Sequence, residues 1–164
     1  MDTGYRILVA IDQFDARHGA LMFTAGLAAR TGASVRLVHV VEHHATRLGG
    51  PSTMESPEQA SRLVEDAGID LMHAGIDTSV SLRRARVERV ADTIADEARR
   101  WGAGIVVLGS RRLHGWRRVS GRGVRDKLIR IVELPVVVAV PPTGDHRRSA
   151  PRTGGSSAAR GTAS

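Results

Sequence analysis

Gly109-Ser110 closes the apolar run Ile105-Val106-Val107-Leu108 and opens a strongly basic stretch. Residues 111–130 carry seven Arg, one Lys and one Asp, a net +7, which equals the formal charge of the whole chain. A glycine-dotted turn that leaves a buried strand and enters a helix is where α/β proteins hold anions. Backbone N–H groups approach the anion there, and arginine adds bidentate, charge-assisted bonds. Arg111, Arg112, Arg117, Arg118, Arg122 and Arg125 fit three readings: phosphate ligands, a salt-sensitive contact with nucleic acid, or a solvated face. Trp116 lies among them, as a base-stacking ring or a loop anchor.

Other chemistries find little support. We find no GxSxG nucleophile turn, no GxxxxGK[ST] loop and no paired carboxylates at a plausible pocket. The chain has no cysteine, which excludes disulfides and thiolate metal sites. Glu42, His43 and His44 are consecutive, and neighbours on a strand face opposite ways, so they do not chelate together. His39, inside an apolar run, reads as a core histidine. A dedicated enzyme is not expected.

Five apolar runs must position these residues. Tyr5 to Ile11 reads as a buried strand ending at Asp12, and Val35 to Val41 as a second. Val80 to Val87 alternates as a third. Residues 105–108 and 136–140 are the fourth and fifth. Between them, Ala16, Ala20, Phe23, Leu27 and Ala28 recur at helical spacing, with Asp15 as cap and Gly32 as stop. Residues 43–56 read as a loop. Ser56-Pro57-Glu58-Gln59 starts a helix that runs to about Ala74, with Gly68 as a weak point. Arg89 to Trp101 is a helix stopped by Gly102. Val124, Leu128, Ile131 and Val132 make one face of a fourth. Strict β–α alternation with fully apolar strands predicts a parallel sheet covered by helices on both faces, a three-layer α/β/α sandwich.

With 164 residues, 41% of them hydrophobic, the chain suits one domain. Residues 1–142 are read as that domain. Residues 143–164 are a basic Gly/Ser/Arg-rich tail with nothing larger than Ala to bury, expected to be disordered. No run approaches the roughly 20 apolar residues of a membrane span, and Met1 to Arg6 lacks signal-peptide features. A cytoplasmic location and no membrane partner are expected.

The segments ILVAID (Ile7 to Asp12), LVHVVE (Leu37 to Glu42), IVVLGS (Ile105 to Ser110) and LPVVVAVP (Leu134 to Pro141) together resemble the universal stress protein family. The resemblance covers Tyr5 to Pro142. It implies a Rossmann-like fold with a five-stranded parallel sheet of order 3-2-1-4-5. It implies ATP or another adenine nucleotide as ligand, and any ATP hydrolysis would be slow and incidental. Asp12 falls where family members place ribose and adenine. Val40 falls on the adenine-contacting position at the end of strand two, acting through its backbone. The family's phosphate motif, Gly-x2-Gly-x9-Gly-[Ser/Thr], starts at Gly109 and continues into Ser110. Here it is broken: Arg112 and Arg122 replace the next two glycines, and Gly123 stands at the hydroxyl position. Val124, which matches the apolar residue after the motif, fixes this register. Either the backbone cradle has become a guanidinium clamp, or the arginines close the pocket. The family often dimerises through strand five, so a homodimer through Val136-Val137-Val138-Ala139-Val140 is implied. A dimeric adaptor without nucleotide is the alternative function, and nucleic-acid association ranks last.

Overall fold

In the computed structural model the described residues are 4–12, 19–45, 51–52, 55–109 and 120–140. Four stretches rich in Val, Ile and Leu and one stretch of alternating polar and apolar residues form strands: β1 (Arg6–Ala10), β2 (Ser34–Ala45), the alternating β3 (Thr78–Arg86), β4 (Ile105–Gly109) and β5 (Val136–Ala139). Four helices alternate with them: α1 (Ala20–Thr31), α2 (Pro57–His73), α3 (Val90–Trp101) and α4 (Ser120–Ile131). β1 pairs in parallel with β2 and with β4, β2 pairs with β3, and β4 pairs with β5. The strand order is 3-2-1-4-5, as the resemblance implied.

Helices on both faces explain the uninterrupted apolar runs of β1 and β4. Ile7, Val9, Val35, Leu37 and Val107 pack with residues of α1 and α2. Leu8, Val38, Val106 and Leu108 pack with residues of α3 and α4 on the other face. Ile7, Leu8 and Val9 have no exposed surface, so β1 is the centre of the core.

The helix ends follow their sequence signals. Ser56 Oγ accepts from the Gln59 N–H at 3.2 Å, and Gln59 Oε1 accepts from the Ser56 N–H at 2.8 Å, a reciprocal capping box with Pro57 in the first turn. Ser56→Ala should lower stability by about 1 kcal/mol. A urea melt checks this, and an unchanged midpoint would show that the cap contributes nothing. Gly102 ends α3 at φ 70°, a left-handed conformation that glycine adopts without a Cβ penalty. Gly68 has a packing reason: a Cβ there would stand 2.8 Å from Val80 Cγ1, so glycine lets α2 lie close to β3.

Three expectations need correction. β2 runs on to Ala45, and Pro51–Ser52 pairs antiparallel with His44 and Ala45, so residues 43–45 and 51–52 are not loop. The buried face of α1 is Ala20, Leu21, Thr24 and Ala28, whereas Phe23 is 42% exposed. The inward stripe includes a polar residue, Thr24, that a search for apolar spacing passes over. The third helix enters through a 3₁₀ turn, Val87–Arg89, before α3 begins at Val90. Asp15 and Ala16, the cap and first turn read for α1, lie outside the described residues.

The α3 face carries a polar inset near edge strand β3. Glu97 is only 1% exposed. It receives Arg36 Nη1 at 3.2 Å, Arg83 Nη2 at 2.7 Å and Nε at 3.0 Å, and Arg100 Nη1 at 3.3 Å. Burial would raise the Glu97 carboxyl, but hydrogen bonds from Arg83 and Ser81 and the charges of Arg83 and Arg36 outweigh it and hold the group below the usual glutamate range. Across the helices, Lys127 Nζ reaches Asp92 Oδ2 at 2.7 Å and the Glu88 carbonyl at 2.9 Å, clasping α4 to α3.

Candidate functional site

β1 leads towards α1 on one face of the sheet, and β4 leads towards α4 on the other. The chain therefore turns opposite ways beyond two adjacent strands. Such a switch point opens a crevice outside the carboxyl ends of the strands.

The register says which residues meet there. Ala10 pairs with Leu108 on β4 and with Val38 on β2. One step further, Ile11 is level with Gly109 and His39. One step beyond that, Asp12 is level with Val40. The Ile11 N–H donates to the Val38 carbonyl at 3.0 Å, so the alignment with β2 holds past the end of β1. Asp12 and Gly109 are half-buried, and Val40 is buried. Gly109 pairs on its other side with Ala139 of β5. Val40 pairs with Arg83 and lies inside β2, not at its end, because the strand continues to Ala45.

α4 begins at this same edge of the sheet, because it follows β4. Arg122, Gly123 and Val124 sit in the opening turns of that helix, not in a loop. The first N–H groups of a helix lack intrahelical partners and carry the positive end of its dipole. Gly123 is exposed, with open space where a Cβ would be. Val124 is half-buried against the cluster that holds Leu8 and Leu128. Ser110, Arg112 and the other arginines up to Arg118 lie outside the described residues, as does the side chain of Arg122. The third glycine position is thus a helical one, where α rather than left-handed geometry is required.

One arrangement beside the crevice had no signal in the sequence. His39 is 4% exposed, as a core histidine should be. Its Nδ1 stands 2.9 Å from the Ile11 carbonyl, and its Nε2 stands 2.7 Å from Glu55 Oε2. A carbonyl oxygen only accepts, so Nδ1 carries a proton. Glu55 directly precedes the cap of α2, so the ring ties the end of β1 to the start of that helix. Nothing in the spacing of His39 and Glu55 marks them as partners.

A profile of the Universal stress protein family matches residues 5–140. The chain belongs to the universal stress protein family. Its fold is also that of solved members. A universal stress protein from Archaeoglobus fulgidus in complex with dAMP superposes with a TM-score of 0.60 at 23% identity, over 82% of this chain and 97% of that one. A family protein from Burkholderia pseudomallei gives 0.61 at 24% identity, over 84% and 97%. An Arabidopsis thaliana family protein with AMP bound gives 0.56 at 18% identity, over 85% and 93%. No curated protein matches the sequence. Among the described residues of this universal stress protein, no helix is long and apolar enough to cross a membrane.

Proposed function

We propose that this universal stress protein is a regulatory binder of an adenine nucleotide, AMP or ATP, seated between the ends of β1, β2 and β4. The register carries the reading: it sets Asp12 level with Val40 and one step past Gly109, across three adjacent strands. In this arrangement the Val40 backbone meets adenine, and the Asp12 carboxylate accepts from ribose hydroxyls. The reading assigns the phosphates to Gly109 and Ser110. The N-terminus of α4, with Gly123, faces the same edge, and Arg112 and Arg122 supply cationic ligands where glycines would have offered backbone N–H groups. Complexes with dAMP and AMP among the structural neighbours support the choice of ligand. The role is binding in the cytoplasm, with no catalytic residue assigned.

Native mass spectrometry of the full chain, followed by calorimetric titration with ATP, ADP, AMP and cAMP, tests this. A co-purified adenine nucleotide, or heat with at least one of the four, is the expected result. No bound mass and no heat would remove the reading.

A second reading rests on a different observation. β5 is the last strand of the sheet and pairs only with β4 among the described residues. Its Val136, Val137 and Val138 are half-buried, and the neighbouring Val140 is 60% exposed. An apolar edge of this kind is sticky unless covered. A second copy of the chain would cover it, giving a homodimer whether or not nucleotide binds. Light scattering that reports a monomer at micromolar concentration would rule this out.

A further inference from the structure

We propose that His39 is a positioning residue of the adenine site, acting by taking over a hydrogen bond that the β-ladder would otherwise claim from Val40. This rests on the adenine reading above and says how the site is kept open.

In a parallel ladder, alternate residues of a strand aim both their N–H and their C=O at the same neighbour. The Val38 carbonyl accepts from the Ile11 N–H at 3.0 Å, so Val38 is one of the β2 residues aimed at β1. Two residues on, Val40 is the next. Continued by one bond, the ladder would join the Val40 N–H to the Ile11 carbonyl. That carbonyl is instead held by His39 Nδ1 at 2.9 Å. Among the described residues, the β1–β2 backbone bonds stop at the Ile11 N–H. The side chain has replaced the main chain at the last rung.

Two consequences follow. The Ile11–Asp12 peptide is fixed by an imidazole rather than by the strand, which sets the direction in which Asp12 leaves β1. Among the described residues the Val40 N–H, at the level of Asp12, has no bond to that carbonyl, and on this proposal it serves a ring-nitrogen acceptor of a purine. The ring is held in place for this task. Its other nitrogen is 2.7 Å from Glu55, whose side chain is 10% exposed, and Leu82 of β3 pairs across from His39. A buried polar side chain with both ring nitrogens engaged has little freedom to turn away.

Amide hydrogen exchange by NMR on the full chain, with AMP as probe, tests the proposal. Without nucleotide, the Val40 amide should exchange at least about tenfold faster than that of Val38, since one is bonded in the ladder and the other is not. AMP should slow it. In His39→Leu the Ile11 carbonyl is released, the ladder gains its next rung, and Val40 becomes as protected as Val38. AMP affinity should then fall about tenfold, the scale of one lost hydrogen bond. His39→Asn places an amide N–H near the Nδ1 position, so it should keep fast exchange at Val40 and stay within about threefold of wild-type affinity. This arm also answers the case in which the leucine variant does not fold. A Val40 amide already protected in the ligand-free wild type would overturn the proposal, as would undiminished AMP binding by His39→Leu. If the wild type shows fast exchange at Val40 but ignores AMP, the adenine reading fails, and the positioning role fails with it.

Discussion

Glu97→Ala should cost this universal stress protein about 2–3 kcal/mol at neutral pH. Removing one partner of a buried ion pair typically costs about 3–5 kcal/mol, because the other charge is left desolvated. Here the stranded charges are Arg36, Arg83 and Arg100, whose side chains are 26%, 40% and 64% exposed. They can recover water, which lowers the cost. Arg36 also keeps the face of Trp101, 5.3 Å from its guanidinium carbon. The pH dependence has a definite sign. The folded Glu97 carboxyl lies below its ordinary range. Its stabilisation is therefore complete above the unfolded glutamate range and drains away as pH falls through the folded value. Urea melts at neutral and acid pH should show the wild type losing its advantage over Glu97→Ala on acidification. A gap that stays constant with pH, or a variant as stable as wild type at neutrality, would contradict this account of the network.

Asp12→Ala should weaken AMP binding by about 10- to 150-fold, the equivalent of about 1.5–3 kcal/mol for hydrogen bonds to a charged group. Asp12 is half-buried, level with Val40 and one step past Gly109, where its side chain would accept from ribose hydroxyls. Asp12→Asn retains one acceptor oxygen without the charge, so its loss should be smaller. Calorimetry on both variants, with melting curves to confirm that they fold, makes the comparison. Equal affinity in the wild type and Asp12→Ala would place the ribose elsewhere.

The fold was legible because its signals are local and redundant. Ile7 to Ala10 in β1 and Ile105 to Leu108 in β4 are continuous apolar runs, and β2 holds five Val or Leu between Val35 and Val41. α2 opens on Ser-Pro-x-Gln, and α3 closes on a glycine that adopts φ 70°. The switch point followed from strand order alone, and strand order followed from the resemblance. What escaped depends on long-range partners. The end of β2 reads Glu42-His43-His44, polar enough to suggest a loop, yet it is held in the sheet by β3 on one side and by Ser52 near its tip. Thr24 sits on the buried face of α1 because tertiary packing chose that face, and among the described residues its hydroxyl has no partner. Arg36, Arg83 and Glu97 look like surface charges until β2, β3 and α3 bring them together. His39 showed its burial in the sequence but not its partners: Ile11 is 28 residues away and Glu55 is 16. The broken glycine motif gave the composition of the phosphate end and not its geometry, since Arg122 and Gly123 turn out to be helical.

On the proposed reading, Asp12, Val40 and Gly109 line one adenine-nucleotide crevice at the end of β1 and β4. Backbone-amide NMR of the full chain, titrated with AMP, tests it most directly. We expect shifts concentrated at Ile11, Asp12, Val40, Gly109 and Gly123, saturating together along a single isotherm. Shifts centred on the β5 edge or the outer faces of the helices, or none at any concentration, would contradict it.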